Sequence, residues 1–146
     1  MIGRQLGNYT LKRLIGEGGM GAVYEGEHNF LGDRVAIKVL HGTYANNTAI
    51  SQRFFQEAKS AREIGHPSII RVIDFGQSPD DGCLYLVMEL LEGSSLADVI
   101  ARGPIAEEQA ARIIAAAADG LEVAHQKGVI HRDLKPDNIF LVGHEV

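Results

Sequence analysis

The hydrophobic pattern of this chain changes from strand-like to helix-like partway along, and that change limits the folds open to it. From Tyr9 to Met88, short apolar runs are separated by Gly and Asn/Asp turns, which is typical of strands. From Ser94 to Lys127 the apolar residues follow a helical pattern. We therefore predict an α+β fold in two parts, with the segment from Glu89 to Gly93 as the hinge.

The first part is predicted to contain an antiparallel meander, one helix and two further strands. The predicted strands are Tyr9–Ile15, Val23–Glu27, Arg34–Leu40, Ile69–Phe75 and Leu84–Met88. The predicted helix is Thr48–Ile64, with Asn46, Asn47 or Thr48 as its N-cap. This gives a sheet of about five antiparallel strands.

The second part is predicted to be helical up to a final short strand. A short helix begins at a cap on Ser94 or Ser95, and a long helix runs from about Ala106 to Lys127. The apolar residues of the long helix spread over more than one stripe, so it needs cover on several sides. Without that cover, its exposed apolar surface marks either a partner site or an aggregation liability.

Composition and charge exclude several classes of function. The 146 residues, 45% of them apolar, suit one compact unit rather than two full domains. A net charge of −5 argues against a nucleic-acid binder, because bulk charge could not neutralise a run of phosphates. The single cysteine, Cys83, excludes an internal disulfide. No apolar stretch approaches the ~20 residues of a membrane helix. Because a signal-peptide apolar region is also lacking, we expect a cytoplasmic protein.

A glycine-rich segment, Gly16-Glu17-Gly18-Gly19-Met20-Gly21, lies between two predicted strands. Glycine permits positive φ and lets backbone N–H groups approach a phosphate with no Cβ in the way. A flexible hairpin turn is an equally good interpretation of this segment alone. A dinucleotide-binding loop runs from a strand into a helix, whereas Val23-Tyr24-Glu25 is predicted to be a strand. The pattern therefore excludes a Rossmann fold.

A lysine and a glutamate stand among apolar residues on neighbouring predicted elements. Alternation along the strand Val35-Ala36-Ile37-Lys38 places Lys38 on the same face as Ala36. The alternative is a lysine that reaches solvent from an edge strand. The apolar stripe of the predicted helix consists of Ile50, Phe54, Ala58, Ala61 and Ile64. Glu57 falls inside this stripe, and a buried carboxylate needs a cation. We expect Glu57 to pair with Lys38 if the helix docks on the sheet, and otherwise to be exposed to water.

The most specific motif is His131-Arg132-Asp133-Leu134-Lys135-Pro136-Asp137-Asn138, between the long helix and a predicted strand, Ile139-Phe140-Leu141. Asp133, Lys135 and Asn138 can converge on one point in such a loop. The aspartate would orient a hydroxyl or accept its proton, the lysine would offset phosphoryl charge, and the asparagine oxygen would hold a metal. A plain polar loop is the alternative.

In their order along the chain, these motifs resemble those of eukaryotic-type protein kinases. The resemblance covers Tyr9 to about Leu141. The lysine of the HRDLKPDN motif is similar to the Ser/Thr kinase pattern, and GEGGMGAVYEGEH resembles the glycine loop of bacterial Ser/Thr kinases. The implied fold is a kinase N-lobe with helix C, followed by a truncated helical C-lobe. The implied domains are a tail at 1–8, the N-lobe with the hinge at 9–92, and the first part of the C-lobe at 93–146.

The resemblance also implies roles for individual residues. Asp133 would be the catalytic base, Lys135 would support the γ-phosphate, and Asn138 would bind Mg²⁺. Lys38 would bind the α- and β-phosphates of ATP while paired with Glu57. The implied nucleotide-binding residues are Ile15, Gly16, Gly18, Gly21, Val23, Ala36, Lys38, Glu89, Leu91 and Phe140. The glycines would cover the phosphates, the apolar residues would contact the adenine, and the hinge backbone would bond its edge.

Three further positions match the family pattern. Met88 stands where the gatekeeper does, and Ser95 stands at a common ribose contact. Arg132 beside the catalytic aspartate resembles the arginine of kinases that are controlled by activation-loop phosphorylation.

The chain departs from the kinase pattern at the DFG motif, which in the family follows the catalytic loop. Its only such tripeptide, Asp74-Phe75-Gly76, precedes that loop, and we expect Phe75 to be core and Asp74 to cap a turn. The implied function is transfer of the ATP γ-phosphoryl group to Ser/Thr hydroxyls of proteins, by an incomplete catalytic domain. The alternative is a nucleotide-binding or interaction module without turnover. A third possibility is a segment with no stable fold alone. In every case we expect the remaining C-lobe or a partner to cover the helix at 106–127.

Overall fold

The computed structural model describes residues 2–18, 21–40, 42, 47–128 and 136–142. The chain divides into two compact units. The first comprises Met1–Glu63 and Ile70–Leu90, and the second comprises Ile64–Ile69 and Leu91–Val146. The units therefore meet at 63/64, 69/70 and 90/91, and the segment Ile64–Ile69 belongs to the second unit.

The first unit is built on an antiparallel sheet, which contains six strands among the described residues, in the order β1-β2-β3-β4-β6-β5. The strands are β1 (Gln5–Leu6), β2 (Tyr9–Glu17), β3 (Gly21–His28), β4 (Arg34–Leu40), β5 (Val72–Gln77) and β6 (Leu84–Glu89). The predicted α+β fold is present, but the predicted count of five strands is wrong, because the sheet has six. The additional strand, β1, lies in the predicted 1–8 tail, where Leu6 pairs with Tyr9 and is buried.

The core of the first unit lies on one face of this sheet. Its buried members are Leu6, Tyr9, Leu11, Val35, Ile37, Val39, Cys83, Tyr85 and Val87. In β4 every second residue, from Val35 to Val39, contributes to this cluster, as the alternation of a strand requires. Burial also raises the pKa of the Cys83 thiol. The thiol form therefore prevails at neutral pH, which agrees with a structural role.

Tyr85 lies at a point of close approach between two glycines. A Cβ built on Gly7 would lie 2.6 Å from the Tyr85 hydroxyl, and one on Gly76 would lie 2.7 Å from it. Gly7 also has a φ of +57°, whereas the φ of Gly76 is not positive. Next to this contact, Arg4 donates from Nη2 to Ser78 Oγ at 3.1 Å and to Asp81 Oδ1 at 2.7 Å. The N-terminal segment is therefore held against the β5–β6 hairpin.

The helix of the first unit, α1 (Thr48–Arg62), begins where the sequence predicts and ends two residues earlier. Its N-cap is Asn47, whose side chain accepts a hydrogen bond from Ile50 N at 3.2 Å. The helix packs against β5, and the Phe55 and Phe75 ring centroids lie 5.8 Å apart.

The second unit contains a small antiparallel sheet and two helices among its described residues. The strands are β7 (Gly93–Ser95) and β8 (Phe140–Val142), and the helices are α2 (Leu96–Ala101) and α3 (Glu107–Gln126), with a 3₁₀ turn at Pro136–Asn138. Gly93 Cα faces the Leu141 carbonyl so closely that a Cβ would lie 1.9 Å from that oxygen. Only glycine fits at this crossing.

The long helix α3 confirms the predicted spread of apolar residues around its axis. Gly120 and Ala124 are buried, and a Cβ on Gly120 would lie 3.0 Å from Ile69 Cδ1. Ile114, on another side of the helix, is 56% exposed. No helix within the described ranges is both long and apolar enough to span a membrane.

Candidate functional site

Lys38 is the exposed residue in an otherwise buried run of β4. Its neighbours Ile37 and Val39 enter the core on the opposite face. Directly opposite Lys38 in the sheet stand Val23 on β3 and Leu86 on β6, both half-buried. Residues that face each other across antiparallel strands project on the same side. The lysine therefore rises from an apolar surface, and the edge-strand alternative is wrong because β4 is a central strand.

Ala36 continues this surface at the next paired position. It is buried and stands between Glu25 on β3 and Met88 on β6. Val23, Ala36 and Lys38 thus share one sheet face, as alternation predicts, with Met88 beside them. Small and apolar residues next to one cation form a surface that suits a flat apolar group joined to an anion.

The structure requires glycine at one position of the loop and leaves open space at two others. A Cβ on Gly21 would lie 2.2 Å from the Val39 carbonyl oxygen, so glycine is required for β3 to approach β4. A Cβ on Gly16 or Gly18 would meet nothing within 4 Å. None of the three has a positive φ, so the left-handed backbone that glycine permits is not used at Gly16, Gly18 or Gly21. The open space over Gly16 and Gly18 is what close approach of a ligand to the backbone requires.

The hinge residue Glu89 uses its backbone amide within the first unit. Its N–H donates to the Arg71 carbonyl at 3.0 Å, and its side-chain Oε1 accepts from Arg71 N at 2.9 Å. Because Glu89 pairs with Val35, its side chain lies on the face opposite to Lys38. The N–H of Glu89 is therefore engaged within the first unit, and the role of the Glu89 backbone towards a base edge stays a prediction.

The structure does not bring Lys38 and Glu57 into an ion pair. Both side chains are exposed, and the ion pairs between described residues do not include them. The predicted position of Glu57 in the apolar stripe is wrong because the buried side of α1 is centred on Ala58 and includes Phe55. Adjacent helical residues differ by about 100°, so Glu57 is turned away from that centre.

In the second unit, Phe140, Ser95 and Asn138 lie on elements that meet. Phe140 pairs with Ser95 across the small sheet, and the 3₁₀ turn ending at Asn138 comes directly before that strand. Phe140 is 40% exposed, so its ring offers apolar surface. The Ser95 hydroxyl is the N-cap of α2 and accepts from Asp98 N at 3.1 Å, a structural role besides the predicted ribose contact.

Several predicted site residues lie outside the described ones or close to their limit. Arg132, Asp133 and Lys135 are outside the described residues, so their predicted roles stay predictions. Asn138 is described and exposed. Leu91 belongs to the second unit and is half-buried.

The Asp74-Phe75-Gly76 tripeptide is part of strand β5 and serves the sheet. Phe75 is half-buried against α1, and Gly76 leaves room for Tyr85. The prediction that Asp74 caps a turn is wrong: it lies mid-strand beside a register shift, and its Oδ1 accepts from Phe75 N at 2.8 Å. Within the described part of the chain, no group of three His, Cys, Asp or Glu side chains is placed to hold a metal ion.

An ion cluster on the Lys38 face was missed in the sequence. Glu25 Oε1 accepts from Arg34 Nη2 at 2.5 Å and from Arg13 Nη2 at 3.4 Å. The hydrogen bond from Arg34 lowers the pKa of Glu25 against a smaller opposing effect of desolvation, and Arg13 adds to the lowering. The sequence does contain a signal for this cluster. Glu25 is two residues from Val23 and Arg34 is two residues from Ala36, so strand alternation places both on the Lys38 face.

The chain is similar to known proteins in sequence and in fold. Residues 9–146 match the model of the protein kinase domain. The chain is 45% identical over 135 residues to the serine/threonine-protein kinase pkn2 of Myxococcus xanthus, covering 92% of this chain and 16% of that protein. It is 40% identical over 143 residues to PrkC of Bacillus subtilis, covering 97% of this chain and 22% of that protein.

The fold is similar to a solved kinase domain. The crystal structure of the Mycobacterium tuberculosis PknI kinase domain superposes with a TM-score of 0.86 at 31% identity, covering 97% of this chain and 57% of that one. Its C20A_R136A double mutant gives a TM-score of 0.87 at 30% identity, covering 99% and 57%. The chain therefore spans about a fifth of the curated relatives and somewhat over half of the solved domain. Family model, relatives and fold agree, and the chain belongs to the protein kinase family.

Proposed function

We propose that this chain carries the ATP-binding part of a protein serine/threonine kinase, which transfers the ATP γ-phosphoryl group to Ser/Thr hydroxyls of proteins. The observation that carries the proposal is the position of Lys38, a cation on an apolar sheet face with Val23 and Ala36. The open space over Gly16 and Gly18 is its second support, because a nucleotide needs both features.

Each residue of the first unit would bind or orient rather than react. The Lys38 ammonium would offset the charge of the α- and β-phosphates, and the backbone at Gly16 and Gly18 would lie close to the phosphates. The Gly18 N–H itself donates to the Gly21 carbonyl at 2.9 Å. Ile15, Val23 and Ala36 would contact the base. Bound ATP and Mg²⁺ supply the transferred group and the charge that neutralises it, so catalysis is mostly positioning and electrostatic stabilisation.

The second unit would supply the remaining groups. The Asn138 carboxamide oxygen is a hard donor that fits Mg²⁺, and the Phe140 ring offers an apolar surface to the base. Asp133 would orient the substrate hydroxyl and accept its proton, while Lys135 would support the γ-phosphate. Leu91 would contribute its backbone to the base edge, beside that of Glu89.

Glu57 would join Lys38 only after a change in the pose of α1. Since Glu57 lies one residue from the buried Ala58, bringing it towards the sheet requires the helix to turn. We propose this pairing as part of the active arrangement.

We also propose that further kinase-domain residues cover the exposed side of α3, where Ile114 lies, and that the protein acts in the cytoplasm. A nucleotide-binding module without turnover is the second candidate. The separation of Lys38 and Glu57 favours it.

The experiment compares ATP binding and phosphoryl transfer for wild type and two lysine variants. Lys38→Met should lose transfer to casein and weaken ATP binding, whereas Lys12→Met, an exposed lysine of the same sheet, should change neither. Thermal unfolding of both variants should match wild type. Wild-type transfer by Lys38→Met would refute the role of Lys38.

Asp133→Asn separates the two candidate functions. In a kinase it should lower kcat far more than ATP affinity, because the aspartate acts on the hydroxyl in the transition state. ATP binding by wild type with no release of the γ-phosphoryl group would favour the module without turnover.

A further inference from the structure

Three charged residues of the first unit, Arg13, Glu25 and Arg34, form what we name the Glu25 cluster. Both guanidinium groups donate to the same carboxylate oxygen, Oε1 of Glu25. The Glu25 side chain is 14% exposed, whereas those of Arg13 and Arg34 are 63% and 58% exposed. A mostly covered carboxylate thus joins two strands that flank its own, β2 and β4.

The cluster lies on the proposed nucleotide face of the sheet. Glu25 stands directly opposite Ala36 on β4 and opposite Arg13 on β2. It is two residues from Val23 along β3, and a spacing of two keeps both side chains on one face. The cluster is therefore next to the apolar surface around Lys38, on the side away from the glycine loop.

Strand β2 has irregular pairing on both sides of its contact with Glu25. Its register with β3 shifts between Leu11 and Arg13, and again between Leu14 and Gly16. Ile15 lies inside the second shift. A bulge locally disrupts the ladder and changes the direction of a side chain. Between the two register shifts, only Arg13 and Leu14 pair with residues of β3. The ion pair between the Arg13 and Glu25 side chains adds a further contact between the two strands there.

We propose that Glu25 is a positioning residue for nucleotide binding. Its ion pairs hold the segment of β2 between the two register shifts against β3 and β4, and this sets the direction of Ile15 over the base. The inference rests on the proposed function, because it needs a nucleotide on this face. Glu25 itself touches no reacting group.

The test compares Glu25→Gln with Glu27→Gln in the whole chain. Glu27 is a matched control, since it lies two residues further along β3 on the same face and makes no ion pair with another described residue. Both variants remove one negative charge at nearly the same place. Two quantities are measured: amide hydrogen exchange at residues 13–16 without nucleotide, and the Kd for ATP.

We expect Glu25→Gln to speed exchange at residues 13–16 and to raise the Kd for ATP about three- to tenfold, the range that loss of one or two partly exposed ion pairs gives. Its Tm should stay near that of wild type. Glu27→Gln should change neither quantity. Salt should raise the wild-type Kd more than that of Glu25→Gln, because it screens the cluster.

Unchanged exchange in Glu25→Gln would overturn the inference whatever the nucleotide does. Faster exchange with a wild-type Kd would also overturn it, since the segment would then be irrelevant to binding. A wild-type chain that binds no ATP would refute the proposed function itself, and with it the role of Glu25 in nucleotide binding. An Arg13→Gln variant should reproduce the effects of Glu25→Gln, and additive effects in the double variant would contradict a shared cluster.

Discussion

Replacing the loop glycines one at a time by alanine separates the needs of the fold from the needs of a ligand. Gly21 has no room for a methyl group, because a Cβ would lie 2.2 Å from the Val39 carbonyl oxygen and 3.0 Å from Leu40 Cα. Both obstacles are backbone atoms, which cannot rotate aside, so β3 and β4 must separate locally. Gly16 and Gly18 have no neighbour within 4 Å of such a methyl group and no positive φ. Alanine should therefore lower the free energy of unfolding at position 21 and raise it at positions 16 and 18.

The magnitudes follow from these contacts. Overpacking of this kind destabilises by about 1–3 kcal/mol, which lowers Tm by roughly 2–12 °C in a chain of this size. Alanine at Gly16 or Gly18 narrows the unfolded ensemble, so the free energy of unfolding should rise by up to about 1 kcal/mol. If the proposed function is right, these two variants should nevertheless bind ATP more weakly than wild type.

Differential scanning calorimetry and ATP titration measure the two effects on the same samples. Gly26→Ala is the matched control for Gly21→Ala, because its closest obstacle, at 2.5 Å, is the Ile37 Cδ1 methyl, which can move. Gly26→Ala should therefore lower Tm less than Gly21→Ala does. Equal stability of Gly21→Ala and wild type would refute the close approach of the strands. Equal destabilisation by all three loop variants would refute the open space at Gly16 and Gly18, and wild-type ATP binding by Gly16→Ala and Gly18→Ala would refute their assignment to a ligand.

Three further predictions concern stability. Ile37→Ala removes a side chain with no exposed surface and should lower the free energy of unfolding by about 2–5 kcal/mol in urea titrations; a loss below 1 kcal/mol would contradict its place in the core. Asn47→Ala removes the cap on Ile50 N and should cost about 1 kcal/mol, seen as a lower Tm, whereas Asn47→Asp should keep the cap. The Arg4 hydrogen bond lowers the pKa of Asp81, so this contribution to stability is present at neutral pH and is lost as the pH falls below about 4. Asp81→Asn should therefore flatten the acid side of a Tm–pH profile, and an unchanged profile would show that the pair is not formed.

The local sequence pattern was sufficient to predict the bounds of elements that are set by residues close in sequence. The bounds of β4 are those predicted, because Val35, Ile37 and Val39 alternate with the residues of the other face. Helix α1 begins at Thr48 as predicted, since Asn47 offers a cap. The Lys38 face follows from the same alternation.

Contacts between distant residues decided what the sequence did not predict. The strand predicted to begin at Ile69 begins at Val72, because Ile69 packs against Gly120 in the second unit. The rotation of α1, and with it the exposure of Glu57, depends on Phe55 meeting Phe75. The helical periodicity of the sequence gives the position of the apolar stripe, but it does not show which side of that stripe packs against the neighbouring strand.

The contact of one tyrosine with two glycines restricts which sequences can descend from this one. The three atoms nearest to an alanine Cβ at position 76 all belong to Tyr85, so alanine becomes more tolerable there once position 85 carries a smaller side chain. Even with a smaller side chain at position 85, alanine is less acceptable at position 7 than at position 76, because the backbone of position 7 stays left-handed. Substitutions at 76 and 85 should therefore be accepted as a pair, in the order 85 then 76. The reverse order would pass through an intermediate that folds poorly.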